Sequence, residues 1–171
     1  MNLYLIRHAD AGDPLAWDGD DEDRPITDLG RRQAKALAEA MREIGEALRW
    51  VVASPLVRAK QTAEELLGVW TPATRDPALS DLLSPGRLRK KKLSRYIASL
   101  EAPALAIVGH QPDISVYLGW LLGADGDAVP LAKGGAACVE LPFGPAKGGG
   151  ELLWAVAPEW YMPAEEGERG A

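Results

Sequence analysis

The sequence predicts an α/β protein, a three-layer sandwich in which a mostly parallel central sheet has helices on both faces. Short apolar runs of strand length alternate along the chain with longer segments that have helical periodicity. Helix-start signals mark several strand-to-helix junctions, as in Ser54-Pro55 and Gln111-Pro112. No repeat or linker interrupts this pattern. We therefore expect one domain over residues 1–162 and a flexible, acidic tail over residues 163–171.

The first half of the chain contains two predicted strands and two predicted helices. Leu3–Ile6 is a buried strand that delivers Arg7 and His8 to the end of the sheet. Residues 10–26 are predicted as loop, with a solvated acidic cluster at Asp18–Asp23. The remaining predictions are a helix that Thr27 or Asp28 caps, with Leu37, Met41, Ile44 and Leu48 on one face; a strand from Arg49 or Trp50 to Ala53; and a helix from Ser54-Pro55 to about Gly68.

The second half begins with a weak strand signal in Thr71–Leu79, which its prolines limit to an edge strand or a loop. Ser84-Pro85 predicts a helix that runs to about Leu100. The other predicted elements are a buried strand at Ala104–Val108, a helix from Gln111-Pro112 to about Leu122, and apolar runs at Ala136–Phe143 and Leu152–Val156. Residues 145–150 suggest that a hairpin or a loose connection joins these last two runs.

Composition limits the functional classes. The 171 residues carry a net charge of −6, with a sequence pI near 5.0, which disfavours non-specific binding to nucleic acid. Cys138 is the single cysteine and is expected to be a buried thiol. No apolar run approaches the roughly 20 residues that a membrane-spanning helix requires, and no secretory signal is evident. We expect a cytoplasmic protein that does not bind membranes; its oligomeric state is not predicted.

Three junctions collect the residues that could carry chemistry. Arg7 and His8 end the first strand, Arg58 lies one turn into a helix, and His110 follows the Ala104–Val108 strand. The carboxyl ends of parallel strands share one sheet edge, where ligands bind. The two histidines of the chain and two arginines are therefore predicted to meet near a helix N-terminus. Together they form an anion pocket of phosphate size.

Four motifs resemble the histidine phosphatase superfamily, whose fold is phosphoglycerate mutase-like. Arg7-His8-Ala9 resembles its Arg-His-Gly signature, and residues 54–63 resemble the second signature, with serine, arginine, alanine and Gln-Thr in order. Gly109-His110 resembles the late histidine, and residues 27–30 resemble the Thr-x-x-Gly that opens the first helix. The short chain and residues 24–27 and 82–86 are similar to phosphohistidine phosphatases of the SixA type.

The resemblance implies a role for each matched residue. His8 would be the nucleophile that forms a phosphohistidine intermediate, which water then hydrolyses. Arg7, Arg58 and His110 would hold the phosphoryl oxygens, and no metal or other cofactor would be required. Ala9 replaces the family glycine and would be strained if the backbone needed a positive φ. Asp81 is the best-placed candidate for the general acid.

The resemblance leaves the substrate open. Our first choice is phosphohistidine on a partner protein, for example in two-component or phosphotransfer signalling, because no lid insertion is expected and a phosphoramidate needs little acid catalysis. Small phosphomonoesters, such as a sugar phosphate, a nucleotide or α-ribazole phosphate, are the alternative. A phosphate-binding module without turnover is a third reading.

Simpler interpretations stand beside these roles. Arg58 could pair with Glu65 or with Asp carboxylates, His110 could be a core or capping histidine, and Asp81 could be an ordinary loop carboxylate. A metal site built from His8, Asp10 and Asp13 is disfavoured, because the ligand set is too small. The basic run Arg87–Lys92, with Arg95 beyond it, is read first as a solvated helix face. Docking of an acidic or phosphorylated protein is the second reading.

Overall fold

The computed structural model describes residues 1–44, 47–70 and 76–162. Its six strands are β1 (Asn2–Arg7), β2 (Trp50–Ala53), β3 (Ala78–Leu79), β4 (Ala104–Gly109), β5 (Ala136–Glu140) and β6 (Glu151–Val156). They form one sheet in the order β3-β2-β4-β1-β5-β6. The pairings from β3 to β1 are parallel, and β5 and β6 are added antiparallel. The sheet is therefore mixed, with the parallel part that the sequence predicted.

Helices cover both faces of this sheet. They are α1 (Asp28–Ile44), α2 (Val57–Trp70), α3 (Lys90–Ser99), α4 (Asp113–Leu121) and the short α5 (Pro158–Tyr161). One core cluster joins α1 and α2 to one face, and a second joins α3 and α4 to the other. The three-layer α/β architecture is confirmed.

Strand β1 lies inside the sheet and contributes to both cores. Tyr4 and Ile6 pack in the cluster of α1 and α2, whereas Leu3 and Leu5 pack in the cluster of α3 and α4. This alternation follows from the two-residue period of a strand. A strand that is covered on both faces must be apolar throughout, which explains why the first polar residues, Arg7 and His8, mark its end.

The register of the parallel strands aligns their carboxyl ends. Arg7 of β1 is opposite Gly109 of β4, and Ala53 of β2 is opposite Val108. The next residues along each strand, among them His8, Ser54 and His110, therefore leave the sheet at one edge.

Several helix boundaries differ from the sequence prediction. Helix α1 ends at Ile44, so Leu48 lies outside it, and α4 begins at Asp113, just after Pro112. Helix α2 begins at Val57 and ends at Trp70, so it starts after Pro55 and continues beyond Gly68. Ser54 still stabilises the turn that leads into α2, because its Oγ accepts a hydrogen bond from the Leu56 N–H.

The larger error concerns α3, which begins at Lys90 rather than at Ser84-Pro85. Ser84 instead caps the end of a short 3-10 helix at Asp81–Leu83. Gly86 then adopts a φ of 71°, a left-handed conformation that interrupts a right-handed helix. Its N–H donates to Asp113 Oδ2 at 2.6 Å, which fixes this turn to the start of α4.

Several smaller predictions are confirmed. The weak third strand exists as the edge strand β3, although residues 71–75 lie outside the described residues. Strands β5 and β6 form an antiparallel hairpin, and Cys138 is buried within it. The predicted tail, residues 163–171, also lies outside the described residues. In the part of the chain that the structure covers, no helix is both long and apolar enough to cross a membrane.

Candidate functional site

The sheet edge brings together both histidines and the arginines predicted from the sequence. The rings of His8 and His110 lie with their centroids 5.0 Å apart. Their side chains are buried, as is that of Arg58. Backbone pairing fixes the positions of the two histidines, because the His8 N–H donates to the carbonyl of Gly109, the residue before His110, at 3.0 Å.

The tautomer of His8 follows from one hydrogen bond. Nδ1 of His8 lies 2.8 Å from the carbonyl oxygen of Ala9. A carbonyl can only accept, so Nδ1 carries the proton and donates it. The neutral ring then has its lone pair on Nε2, which is the nitrogen available to attack an electrophile.

Both imidazoles are neutral at physiological pH. Burial is the main cause that lowers the pKa of His8 from 6.5 to about 4, and the positive charges of Arg58, Arg7 and Arg24 lower it further. Burial also lowers the pKa of His110 to about 3, with a further contribution from His8. A buried ring surrounded by cations cannot easily accept a proton.

The two arginines are held by backbone groups but keep polar atoms without a partner. Nη1 of Arg7 donates to the Leu131 carbonyl at 3.0 Å. Among the described residues, the buried side-chain atoms without any hydrogen-bond partner are Nε of Arg7, Nε of Arg58, and both ring nitrogens of His110. Unsatisfied buried polar groups are costly, and here all of them belong to the residues around His8.

Arg58 pairs with an aspartate, as its alternative reading expected, but sequence reasoning missed that Asp21 supplies the carboxylate. Oδ2 of Asp21 lies 3.0 Å from Nη2 of Arg58, and the Asp21 carbonyl accepts from Nη1 at 2.6 Å. Glu65 pairs with Arg31 instead. The acidic cluster of residues 18–23 is therefore more than a solvated loop, because Asp21 reaches into the pocket.

Arg24 is a second missed residue. It is 7% exposed, and its Nε donates to Asp21 Oδ1 at 2.9 Å while Nη1 donates to the Ala11 carbonyl at 2.6 Å. Hydrogen bonding from Arg24 is the largest of the effects that lower the pKa of the Asp21 carboxyl, and the charge of Arg58 adds to it. In the sequence, the only signal for Arg24 was its place in residues 24–27, which resemble phosphohistidine phosphatases of the SixA type, and that resemblance gave it no role.

The threonine of the Gln-Thr pair in the second motif positions the loop after His8, whereas Gln61 accepts from the Ile26 N–H. Thr62 Oγ1 accepts from the Ala9 N–H at 3.1 Å and donates to the Arg58 carbonyl at 2.7 Å. One hydroxyl thus joins the loop that follows His8 to helix α2, which carries Arg58. The alanine at position 9 does not strain the backbone, because Ala9 has no positive φ. Among the described residues other than glycine, only Glu101 has one.

The Thr-x-x-Gly motif fixes the other side of this loop. Thr27 caps α1, since its Oγ1 accepts from the Gly30 N–H at 3.1 Å. A Cβ on residue 30 would lie 2.1 Å from the Asp10 carbonyl oxygen, so only glycine allows this approach. Helix α1 is thereby packed directly against the residues that follow His8.

Asp81 lies at the mouth of the site rather than within the histidine cluster. It is exposed and lines a cavity of about 450 Å³ together with Pro55, Arg87 and Asp21. The cavity meets the site at Asp21, which pairs with Arg58, and its lining does not include either histidine. Within the described residues, its side chain forms no hydrogen bond or ion pair with His8, His110 or either arginine.

The alternative metal site finds no support in the contacts of its carboxylates. Asp10 binds Lys133 at 2.9 Å and Thr27 at 2.9 Å, which holds the Asp10 pKa below its usual value despite partial burial. Asp13 instead accepts from the Leu15 N–H. No group of three or more potential ligands is placed to hold a metal in the portions of the chain described.

Sequence comparison identifies a matching family model and a relative that covers nearly the whole chain. The model of the histidine phosphatase superfamily (branch 1) matches residues 3–91, just over half of the 171 residues. An uncharacterized protein from Picosynechococcus sp. is 32% identical over 174 residues, which covers 95% of this chain and 100% of that protein.

Solved structures share the fold. The protein histidine phosphatase SixA in complex with tungstate gives a TM-score of 0.78 at 23% identity, covering 92% of this chain and 97% of that one. A candidate phosphohistidine phosphatase SixA from Nakamurella multipartitia gives 0.74 at 27% identity, with 92% and 95% coverage. The α-ribazole phosphatase from Shigella flexneri gives 0.68 at 18% identity, with 96% and 100% coverage.

The chain therefore belongs to the histidine phosphatase superfamily, and its fold is of the SixA type. This membership supports phosphatase activity and confirms the resemblance that the four motifs indicated.

Proposed function

We propose that the protein is a phosphatase that removes the phosphoryl group from phosphohistidine on a partner protein, through a covalent intermediate on His8. The observation that carries this proposal is the set of unpaired buried atoms on Arg7, Arg58 and His110 around a neutral imidazole. A phosphoryl group brings three acceptor oxygens, and its negative charge suits two guanidinium groups.

In the proposed reaction, Nε2 of His8 attacks phosphorus while the bond from phosphorus to the donor nitrogen breaks. The Ala9 carbonyl holds the Nδ1 proton, which stabilises the positive charge that develops on the ring. Arg7 and Arg58 neutralise the equatorial oxygens, and His110 donates a hydrogen bond from one ring nitrogen. Water then attacks the same phosphorus, which releases phosphate and restores His8.

The preference for phosphohistidine rests on the leaving group. An alkoxide needs a proton from a general acid, whereas an imidazole that is already protonated on its second nitrogen leaves as a neutral ring. Asp21 is a poor proton donor, because Arg24 and Arg58 keep its carboxyl ionised. Asp81 is the remaining candidate acid, and it lies at the exposed mouth.

A small phosphomonoester is the second candidate. It is favoured by the cavity of about 450 Å³ at the mouth, a size that suits a sugar phosphate, a nucleotide or α-ribazole phosphate. In that case Asp81 would protonate the leaving oxygen, and Asp81→Asn would lower ester hydrolysis by about two orders of magnitude.

The decisive experiment combines trapping with a substrate comparison. Protein mixed with a ³²P-labelled phosphodonor and quenched in alkali should carry an acid-labile label, which His8→Ala should abolish. Phosphate release from a phosphohistidine protein should exceed release from a panel of small monoesters by at least tenfold in kcat/KM. Faster release from an ester would favour the second candidate. Phosphate binding without any adduct or release would leave only a binding module.

A further inference from the structure

A groove of about 690 Å³ runs along α3 on the sheet face that carries α3 and α4. It is lined by Lys91, Ser94, Arg95 and Ala98 of α3, Trp120 of α4, and residues 143–147 between β5 and β6. We propose that this groove docks an acidic, amphipathic segment of the protein that carries the phosphoryl group. The inference rests on the proposed phosphatase function for the identity of that protein.

The walls of the groove are fixed before any partner binds. Ser94 Oγ lies 2.9 Å from the Tyr117 hydroxyl, and the Trp120 ring stacks on Tyr117 at a centroid distance of 5.9 Å. The loop opposite is tied to the end of α4, because the Gly148 N–H donates to the Trp120 carbonyl at 3.0 Å. A preformed groove reduces the ordering cost of binding.

The loop presents an aromatic side chain to solvent. Phe143 is the single phenylalanine of the chain and is 99% exposed. An aromatic ring contributes a large apolar area when a partner covers it. Together with Trp120 across the groove, it gives the surface an apolar centre of the kind that marks interaction sites.

Positive charge surrounds this centre. Lys91, Arg95 and Lys147 line the groove in a chain whose net charge is −6. Within the described residues, neither Lys91 nor Arg95 forms an ion pair with a carboxylate, and Lys147 forms only an exposed one with Asp125 at 3.9 Å. The cations therefore remain available to carboxylates of a partner.

The same charge connects the groove with the cavity of about 450 Å³ that Asp81 and Asp21 line. Arg87 lines that cavity, and α3 begins three residues later with Lys90, Lys91 and Lys92. A helix of this length spans roughly 15 Å, which about five residues of extended peptide would cover. One segment of a partner can thus place a phosphohistidine at the site and its flanking residues in the groove.

The chemistry expected of the partner follows from the charges at the cavity and at the groove. Asp21, Glu22 and Asp81 line the mouth of the cavity, so an acidic partner gains little attraction there. Attraction must come from α3 instead. An apolar centre within a cationic rim is complementary to alternating acidic and apolar side chains. A uniformly charged polyanion such as nucleic acid would leave the aromatic walls uncovered.

Direct binding tests the groove without reference to catalysis. The probe is a fluorescein-labelled peptide of alternating Glu and Leu, measured by anisotropy against the full chain. Lys91→Glu with Arg95→Glu, and separately Phe143→Ser, should each weaken binding at least tenfold. The matched control is Lys35→Glu with Arg42→Glu, which changes the net charge equally on exposed residues of α1 on the other sheet face, and it should leave binding within twofold.

Several results would overturn the proposal. The first is binding of the Glu-Leu peptide that the groove variants do not change, and the second is equally tight binding of a Lys-Leu peptide. The third is binding of oligo-dT or anionic vesicles that is tighter than that of the peptide and that the groove variants weaken to the same extent. The fourth is self-association of the protein that Phe143→Ser abolishes. The last result would identify a second copy of the chain as the occupant.

Turnover then links the groove to the proposed function. Two synthetic peptides carry one phosphohistidine followed by either a Glu-Leu or a Lys-Leu segment. The acidic peptide should have at least fivefold higher kcat/KM, and Lys91→Glu with Arg95→Glu should remove this preference while turnover of phosphoramidate stays unchanged. Equal turnover of both peptides by the unaltered protein would overturn the docking proposal. Turnover of neither peptide would refute the phosphatase proposal, while the anisotropy result would still decide the groove.

Discussion

Because both buried histidines are neutral in the folded protein, we expect the free energy of unfolding to depend strongly on pH. In the unfolded chain each imidazole should titrate near its ordinary pKa of about 6.5. In the folded protein the pKa of His8 is about 4 and that of His110 is about 3. The unfolded state therefore binds more protons below pH 6.5, and stability is lost as the pH falls from 6.5 toward the folded values.

The magnitude follows from these values. At pH 5, about 1.5 pH units below the ordinary pKa, an unfolded histidine gains about 2 kcal/mol by protonation, since one unit corresponds to about 1.4 kcal/mol. Lowering the pH from 7.5 to 5 should thus reduce the free energy of unfolding by about 2 kcal/mol for each histidine. Asp21, whose folded pKa is lowered, acts in the same direction only as the pH approaches 4 and below.

Two measurements check this prediction. The chain has only two histidines, so NMR can follow both imidazoles directly, and neither signal should titrate between pH 5 and 8. Urea unfolding should show that the free energy of unfolding falls by about 4 kcal/mol between pH 7.5 and pH 5. His8→Ala and His110→Ala should each halve this difference between the two pH values. An imidazole that titrates near pH 6.5, or a stability that is flat between pH 7.5 and 5, would refute the reasoning.

Three further predictions concern the supports of the site. Thr62→Val should lower the free energy of unfolding by about 1–3 kcal/mol in urea titrations, because the buried Ala9 N–H loses its acceptor and the Arg58 carbonyl loses the hydroxyl as a donor, whereas Thr62→Ser should retain most of this stability. Gly30→Ala should cost about 2–4 kcal/mol, since its Cβ would overlap a carbonyl oxygen, while Gly68→Ala in an open helix position should be neutral or stabilising. Asp21→Asn should tighten binding of inorganic phosphate several-fold by calorimetry, because a competing carboxylate leaves Arg58; weaker binding would contradict this.

Local sequence predicted the strands and most of the site because those signals are short-range. An apolar run such as Ala104–Val108 must be a buried strand, and polar residues directly after it must lie at the sheet edge. Arg7, His8 and His110 were found in this way.

Helix boundaries were less predictable, since they depend on turns. At Ser84-Pro85 the expected helix start was wrong, because Gly86 adopts a left-handed conformation that Asp113, distant in sequence, holds in place. A capping signature in the sequence does not reveal such a tertiary anchor.

The sequence by itself determined the α/β class, the sheet edge and the four residues expected to handle phosphate. Only the tertiary structure decided what surrounds them. It brought in Asp21 and Arg24 from a loop that the sequence predicts to be solvated, and it placed Thr62 between Arg58 and the loop that follows His8. The physical reason is that local apolar patterns determine where the strands lie along the chain. Pairing between a loop and a helix depends on where the whole chain places them.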